Sequence, residues 1–288
     1  MSVIINLRGG LGNQMFQYAT GLSLAKKNNS ELLIDTSWFK NISPEDTIRQ
    51  YELDCFSFVQ NTIDKNDIKI ASHTNIADLI LKKIIKSRYF TEYVEGSARF
   101  DKNFYNLRGD VYLVGYFQSE KYFIDIRSDL FKQFRFKNKP SSDNIKIIEE
   151  VKKTNSVSVH IRRGDYISNN NASGFHGFQG IDYYRKAINI IESKINNPKY
   201  FVFSDDIGWC KNNLSLDKNV IFVSNEEGHE DLRIMTYCKH NIIANSSFSW
   251  WGAWLGNNSD KVVIAPKAWF RSKEVDSSDI IPSRWQRI

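Results

Sequence analysis

Short apolar runs bounded by polar turns recur along this chain, and most are too short for helices. Val3 to Leu7 form the first and predict a buried strand. The glycine-rich turn Arg8-Gly9-Gly10-Leu11-Gly12-Asn13 follows. From Gln14 the period changes: Met15, Ala19 and Leu22 recur at i, i+4 and i+7, the spacing of one helical face. Leu32-Leu33-Ile34 predict a second strand ending at Asp35. Strand, glycine turn, helix, strand is how a Rossmann-like unit opens. From Thr36 to Arg108 the pattern is mixed, with lysine-bearing helical stretches such as Leu79 to Lys86, and it reads as the irregular remainder of a first domain. Val111 to Val114 restore a strand, and Ser119 to Phe131 predict a helix with Ser119 as its cap.

The polar stretch Lys137-Asn138-Lys139-Pro140-Ser141-Ser142 carries one of five prolines and reads as a linker. Beyond it the alternation is regular. Strands are predicted at Ser156 to Ile161, Tyr200 to Phe203, Val220 to Val223, Asn241 to Ala244 and Val262 to Ile264. Helices are predicted near Ile145 to Lys153, Asp182 to Lys194, Glu230 to Cys238 and Phe248 to Leu255. Such alternation implies a parallel sheet covered by helices on both faces. The sequence therefore divides into two Rossmann-like domains, residues 1–140 and 141–288, of the α/β class.

Composition narrows the partners. Hydrophobic residues at 41% and charged residues at 25% are ordinary for a globular protein with a real core. The 39 Lys and Arg outnumber the 33 Asp and Glu, a net charge of +6 that favours anionic ligands or an acidic membrane surface. The basic residues are dispersed, which argues against a nucleic-acid stripe. Cys55, Cys210 and Cys238 are odd in number and widely spaced, so neither a disulfide framework nor a zinc motif follows. The N-terminus turns polar at once, unlike a signal peptide, and no apolar run approaches the ~18 residues that span a bilayer. The expectation is a cytoplasmic protein with at most peripheral contact at an inner membrane.

In a parallel sheet, the loops that follow the strands line the ligand crevice. The loop after Ile161 holds Arg162, Arg163, Gly164 and Asp165, with His160 at the strand end. After Phe203 come Ser204, Asp205 and Asp206, and after Ala244 come Asn245, Ser246, Ser247, Phe248 and Ser249. Guanidinium groups grip phosphate oxygens through paired N–H donors. The serines sit where a helix N-terminus offers unsatisfied N–H groups to an anion. Asp205 or Asp206 can accept hydrogen bonds from a guanine edge or a ribose. Each element also has an ordinary reading. The arginines can pair with Asp165 and nearby carboxylates, Asn-Ser-Ser is a common helix cap, Ser-Asp-Asp is a common turn, and Trp250, Trp251 and Trp254 can simply fill core. Met15 occupies the last glycine position of the G-x-G-x-x-G pattern, so the dinucleotide fingerprint is incomplete. There is no P-loop, no Asp-x-Asp and no His/Cys cluster, so the chemistry requires neither a metal nor another cofactor.

Four motifs together resemble one family: Gly9-Gly10-Leu11-Gly12-Asn13-Gln14-Met15-Phe16-Gln17-Tyr18, Gly115-Tyr116-Phe117-Gln118, His160-Ile161-Arg162-Arg163-Gly164-Asp165-Tyr166, and Asn245-Ser246-Ser247-Phe248-Ser249-Trp250-Trp251. The chain resembles the bacterial α-1,2-fucosyltransferases of glycosyltransferase family 11 from residue 6 to about 265. The resemblance implies a GT-B architecture, two Rossmann-like domains facing each other across a cleft, with the acceptor on the first and the donor on the second. It implies GDP-β-L-fucose as donor, the 2-hydroxyl of a terminal β-galactoside as acceptor, inversion at the fucose carbon and no metal. Arg162 would hold the diphosphate and His160 would contact the guanosine, with Arg163 beside them. Asp205 or Asp206 would read the base, and Asn245 with the Ser246, Ser247 and Ser249 helix start would meet phosphate. Asn13 and Gln14 would face donor and acceptor. Asp165 is the candidate base, although it can equally anchor Arg162 or Arg163, and Asp35 is a more distant candidate. The acceptor would be a surface polysaccharide or O-antigen repeat, carried on a lipid diphosphate. Alternatives are protein O-fucosylation, which shares the arginine loop, a non-catalytic GDP-sugar or glycan-binding module, and a nicotinamide oxidoreductase.

Overall fold

The computed structural model describes residues 1–43, 47–63, 68–71, 89–164, 177–214, 216, 219–272 and 274–288, without the side chains of 69–71. The chain divides into two compact units. Met1–Lys137 with Ser278–Ile280 form the first, and Asn138–Ser277 with Ile281–Ile288 form the second. The division falls at the start of the Lys137 to Ser142 stretch, three residues before position 140. The return of Ser278–Ile280 to the first unit has no counterpart in the periodic pattern of the sequence.

The first unit contains β1 (Ser2–Asn6), α1 (Leu11–Lys27), β2 (Glu31–Asp35), β3 (Thr62–Ile63), β4 (Lys69–Ala71), β5 (Tyr89–Val94), β6 (Val111–Val114) and α2 (Arg127–Gln133). Its six strands are all parallel, in the order β3-β2-β1-β6-β5-β4. Helices and loops must cover both faces of such a sheet, which explains why β1 is apolar and buried at all five positions. The strand β5 lies in the stretch read as irregular. Its sequence Tyr-Phe-Thr-Glu-Tyr-Val buries only Phe90 fully, so neither a continuous nor an alternating pattern marks it. The Leu79 to Lys86 segment lies outside the described residues. The single helix expected from Ser119 is instead two 3-10 turns, Glu120–Tyr122 and Ile124–Ile126, leading into α2; Ser119 caps the first of them.

The second unit contains α3 (Ser142–Lys153), β7 (Asn155–Ile161), α4 (Ile181–Lys194), β8 (Pro198–Ser204), α5 (Ile207–Asn213), β9 (Val220–Val223), α6 (Gly228–Tyr237), β10 (His240–Ile242), α7 (Ser247–Leu255), β11 (Val263–Ala265) and β12 (Gln286–Arg287). The order β9-β8-β7-β10-β11-β12, again all parallel, is the doubly wound Rossmann arrangement. In the first unit β1, β2 and β3 spread outward in the same way, but the chain then returns inward from β4 to β6. Either way the strand order reverses at one place in each sheet, between β1 and β6 and between β7 and β10. Trp250, Trp251 and Trp254 are fully buried and pack on one another, so they fill core. No helix among the described residues is long and apolar enough to cross a membrane.

One polar knot sits inside the first unit. Asp35 is fully buried and accepts four hydrogen bonds: from Asn6 Nδ2 (2.9 Å), the Tyr112 hydroxyl (2.6 Å), Ser37 N (2.8 Å) and Ser37 Oγ (3.1 Å). Burial and the neighbouring carboxylate hold the Tyr112 phenol well above its ordinary pKa, so it remains a donor. Asp35 is thus committed to three chain segments rather than to a substrate. Replacing it with Ala strands these donors, each at about 1–3 kcal/mol when buried. We expect Asp35→Ala to lower stability by roughly 3 kcal/mol or more in urea unfolding, and exposed Asp54→Ala to leave the midpoint unchanged.

Candidate active site

Period-two geometry divides the side chains of β7. Val157, Val159 and Ile161 pack into the apolar core beneath α4. Ser156, Ser158 and His160 point to the other face, where Ser158 accepts a bond from Asn241 Nδ2 (2.7 Å) and the His160 ring lies 5.6 Å from that of Phe248 on α7. His160 is only 6% exposed, and its Nδ1 has no hydrogen-bond partner among the described residues. Burial first, and the Arg162 charge second, push its pKa down to about 3, so the imidazole is neutral. A buried ring nitrogen without a partner costs stability. It is a group that a bound ligand can satisfy.

Where β7 ends, its parallel register with β8 sets Ile161 beside Ser204 and brings the two following loops together. Arg162 Nη1 lies 3.1 Å from Asp205 Oδ2, and Arg163 Nη1 pairs with Asp206 Oδ2. Asp205 Oδ1 also accepts from Arg163 N (2.9 Å), while Asp206 Oδ1 caps α5 by accepting from Trp209 N (3.0 Å). That backbone bond, reinforced by Arg163, keeps the Asp206 carboxyl below the usual range. The Arg163 guanidinium lies 4.7 Å from the centre of the Trp209 ring. A Cβ at Gly164 would stand 2.9 Å from Asp205 Oδ2 and would displace that carboxylate. The aspartates therefore hold and neutralise the arginines. Asp165 lies outside the described residues.

The loop after β10 completes this edge of the sheet. Asn245 is buried and donates to Gly177 O and Trp269 O, both at 3.1 Å, which ties neighbouring segments to the loop. Ser246 is the N-cap of α7, yet its hydroxyl makes no capping bond. Ser249 is buried and returns its hydroxyl to Ser246 O (3.3 Å), while Ser247 is half-buried. Thus Ser246 and Ser247 stand at an open helix start and Ser249 belongs to its framework. No group of three or more His, Cys, Asp or Glu among the described residues is placed to hold a metal ion.

In the first unit the glycine turn is built differently. Glu52 Oε2 accepts from Leu11 N (2.9 Å), putting a carboxylate at the N-terminus of α1, where a dinucleotide phosphate would otherwise lie. Gln14 is fully buried; its amide donates to Gly9 O (2.9 Å) and Gln50 O (2.8 Å), and its oxygen accepts from Glu52 N (2.9 Å). Gln14 therefore locks the turn from within. Asn13 is half-buried and accepts from Gln118 Nε2 (2.8 Å). Gln17, quoted above within a motif but given no role, accepts from Arg8 N (3.0 Å) and donates to Gly115 O (3.0 Å), binding the loops after β1 and β6 together. Glu52 has no sequence signal, because its partner Leu11 is 41 residues away, and what Gln17 does within its motif is set by Gly115, 98 residues away. The Trp209 contact is more legible, since Asp206 and Trp209 have the three-residue spacing of an N-cap.

These two pairs of loops carry the four motifs noted in the sequence. The model of glycosyl transferase family 11 matches residues 2–288. The chain belongs to this family. It is 36% identical to an α-1,2-colitosyltransferase of Escherichia coli, over all of this chain and 99% of that protein. It is also 36% identical to the O-antigen biosynthesis glycosyltransferase WbnK of Escherichia coli, over 92% of this chain and 93% of that one. A galactoside 2-α-L-fucosyltransferase, SEC1 of Bos taurus, is 24% identical over 88% of this chain and 64% of its own length. Among solved structures, an Arabidopsis thaliana FUT1 variant in complex with GDP shares the fold, with a TM-score of 0.50, 11% identity, and coverage of 93% of this chain and 71% of that one. The family 11 chain thus has the GT-B fold class of two Rossmann-type units expected from its sequence.

The neutral His160 has a consequence for pH. Its folded-state pKa lies below its unfolded value of about 6.5, so unfolding takes up a proton as the pH falls through that value. Stability is retained above pH ~6.5 and falls below it by about 1.4 kcal/mol per unit. Asp231, pushed up to about 6 by burial, acts in the opposite sense. Comparing wild type with His160→Gln by urea unfolding from pH 7 to 4 cancels the Asp231 contribution. The wild type should lose stability more steeply than the variant.

Proposed function

We propose that this family 11 glycosyltransferase moves L-fucose from GDP-β-L-fucose to the 2-hydroxyl of a terminal β-galactoside. One observation carries the donor assignment. At the switch point of the second unit, Arg162 and the open N-terminus of α7 offer positive charge and N–H donors. The corresponding helix start in the first unit already holds the Glu52 carboxylate. A nucleoside diphosphate therefore goes to the second unit, with His160 Nδ1 as a further partner for the nucleotide.

In the reaction, the acceptor oxygen forms a bond to the fucose anomeric carbon as the bond from that carbon to the diphosphate oxygen breaks. The configuration inverts through an oxocarbenium-like state. Arg162 and the N–H groups of α7 stabilise the charge that accumulates on departing GDP, displacing Asp205 from part of the guanidinium. Arg163, fixed by Asp206 and Trp209, maintains the shape of the loop. Asp165 is the proposed acceptor of the hydroxyl proton. With Arg162 and a helix start to neutralise the leaving group, the reaction proceeds without metal.

The colitosyltransferase activity named for one Escherichia coli relative supports a second donor reading. Colitose is L-fucose without its 3-hydroxyl, so GDP-colitose would present the same diphosphate and guanosine. The WbnK relationship supports an O-antigen repeat as acceptor, made in the cytoplasm on a lipid diphosphate at the membrane surface. The +6 charge suits work beside anionic lipid.

Purified protein with EDTA, GDP-fucose or GDP-colitose, and lactose or Gal-β1,3-GalNAc should yield a product linked at the galactose 2-hydroxyl. Preference between the donors decides the transferred sugar. Loss of transfer on chelation, restored by a divalent cation, would overturn metal independence. Arg162→Ala should lower kcat at least ~100-fold with its thermal midpoint nearly unchanged, the scale of losing one preorganised charge donor. Near-normal turnover would remove Arg162 from the mechanism.

A further inference from the structure

One stretch of the first unit concentrates cations that the fold leaves unmatched. Between Asp129 and Asp143 the chain carries Lys132, Arg135, Lys137 and Lys139 and no carboxylate. The last of these belongs to the second unit, the other three to the first. Lys132 is on the last turn of α2, and Arg135 and Lys137 follow on an extended segment. That segment runs antiparallel to residues 55–57. Ser57 N donates to Arg135 O (2.8 Å), Lys137 N donates to Cys55 O (2.8 Å), and Phe56 is bridged to Phe136. Extended backbone sends alternate side chains to opposite faces. Phe134 and Phe136 take the inner face, their rings 5.0 and 5.2 Å from that of buried Phe56. Arg135 and Lys137 take the outer face beside Ser57, and all three are exposed.

None of Lys132, Arg135 and Lys137 has an ion pair or a side-chain hydrogen bond among the described residues. Other cations of this unit are matched: Lys26 lies 2.8 Å from Asp129, and Lys121 pairs with Asp279. Asp129 is therefore taken up chiefly by Lys26 and only more weakly feels Lys132. Asp54, exposed, precedes the facing segment. One apolar side chain accompanies the cations. Phe58 stacks on Tyr18 with ring centres 4.3 Å apart, and Val59 beside it is 87% exposed. No other large hydrophobic side chain among the described residues is as exposed. Cations on long stems around a projecting valine match a lipid interface, where charge meets phosphate and the apolar group enters the acyl boundary. A nucleic acid would take the charges but leave the valine in water, because its bases are met by aromatic stacking.

We propose that Lys132, Arg135 and Lys137, with Val59 on the facing segment, form the surface by which the first unit docks on an anionic phospholipid membrane. This deepens the proposed function and rests, for its purpose, on the reading of a lipid-borne acceptor. The contact itself needs the first unit alone. An anionic leaflet attracts each cation that comes near it, and no carboxylate within the stretch opposes that attraction. The Arg135 guanidinium is suited to take two oxygens of one lipid phosphate. Ribbon pairing presents these charges on a fixed backbone, so docking orders only their side chains. Exposed charges act over about a Debye length, which makes the contact reversible by salt.

Flotation of the purified full chain with vesicles tests this apart from turnover. At low salt the wild type should float with equimolar phosphatidylglycerol and phosphatidylcholine, and should stay behind with phosphatidylcholine alone or in high salt. Replacing Lys132, Arg135 and Lys137 together by Gln should weaken partition about 100-fold, at roughly fivefold for each lost cation. Val59→Ser should weaken it several-fold, by loss of apolar contact. The triple variant should keep its thermal midpoint and its transfer to lactose, since these exposed side chains lie outside the candidate active site. A triple variant that floats like the wild type overturns the proposal, as does a wild type that ignores anionic vesicles. Equal binding to a DNA oligonucleotide, with Val59→Ser without effect, also overturns it by showing a general polyanion surface. Failure of the proposed function would appear separately, as absence of fucosyl product from protein that still floats.

Discussion

Reversal of strand order within an all-parallel sheet is the constraint from which the rest of this protein follows. Neighbouring connections run outward in opposite directions on either side of that point. The loops after the two central strands therefore diverge and leave a crevice at their carboxyl ends. In the second unit the strands are β7 and β10, which deliver the arginine loop and the Asn245–Ser246–Ser247 helix start. In the first they are β1 and β6, which deliver the glycine turn and the Gly115 to Gln118 loop. Four sequence motifs separated by up to about 230 positions are thus two pairs of adjacent loops.

The crevices differ in charge because their helix starts differ. Both α1 and α7 begin just beyond a central strand, so each would attract an anion by its dipole. The anion at α1 is part of the protein, the Glu52 carboxylate, and Gln14 fixes the Glu52 backbone to the turn. At α7 the serine cap makes no side-chain bond to the helix. This asymmetry separates a glycosyltransferase reading from that of a nicotinamide enzyme, in which the glycine turn itself would take the diphosphate.

The arginines show how two cations are held at the end of a parallel strand. Each is matched to an aspartate of the adjacent strand end, and Arg163 also lies over Trp209. Such partly exposed pairs contribute little stability by themselves. Their effect is to set side-chain position, which fixes the two guanidinium groups at the strand ends.

The regular second half was legible in the sequence because its central strands are short buried runs and helices such as α3 and α4 have a polar face; β7, β8, α3 and α4 fall within a few residues of their expected ends. The loops of chemical interest were legible for the same reason, since a strand end marks where side chains leave the core. Tertiary structure decided what those side chains do. Asn13, Gln14 and Asn245 have the same polar chemistry in sequence, yet Gln14 and Asn245 are tied inward by backbone groups from distant segments, and Asn13 is half-exposed. Glu52 and the return of Ser278–Ile280 carried no local signal at all. Periodicity reports which face of an element is buried, a property of neighbours three or four residues away. A hydrogen bond between residues 40 to 100 positions apart is set only when the folded sheet brings its loops together.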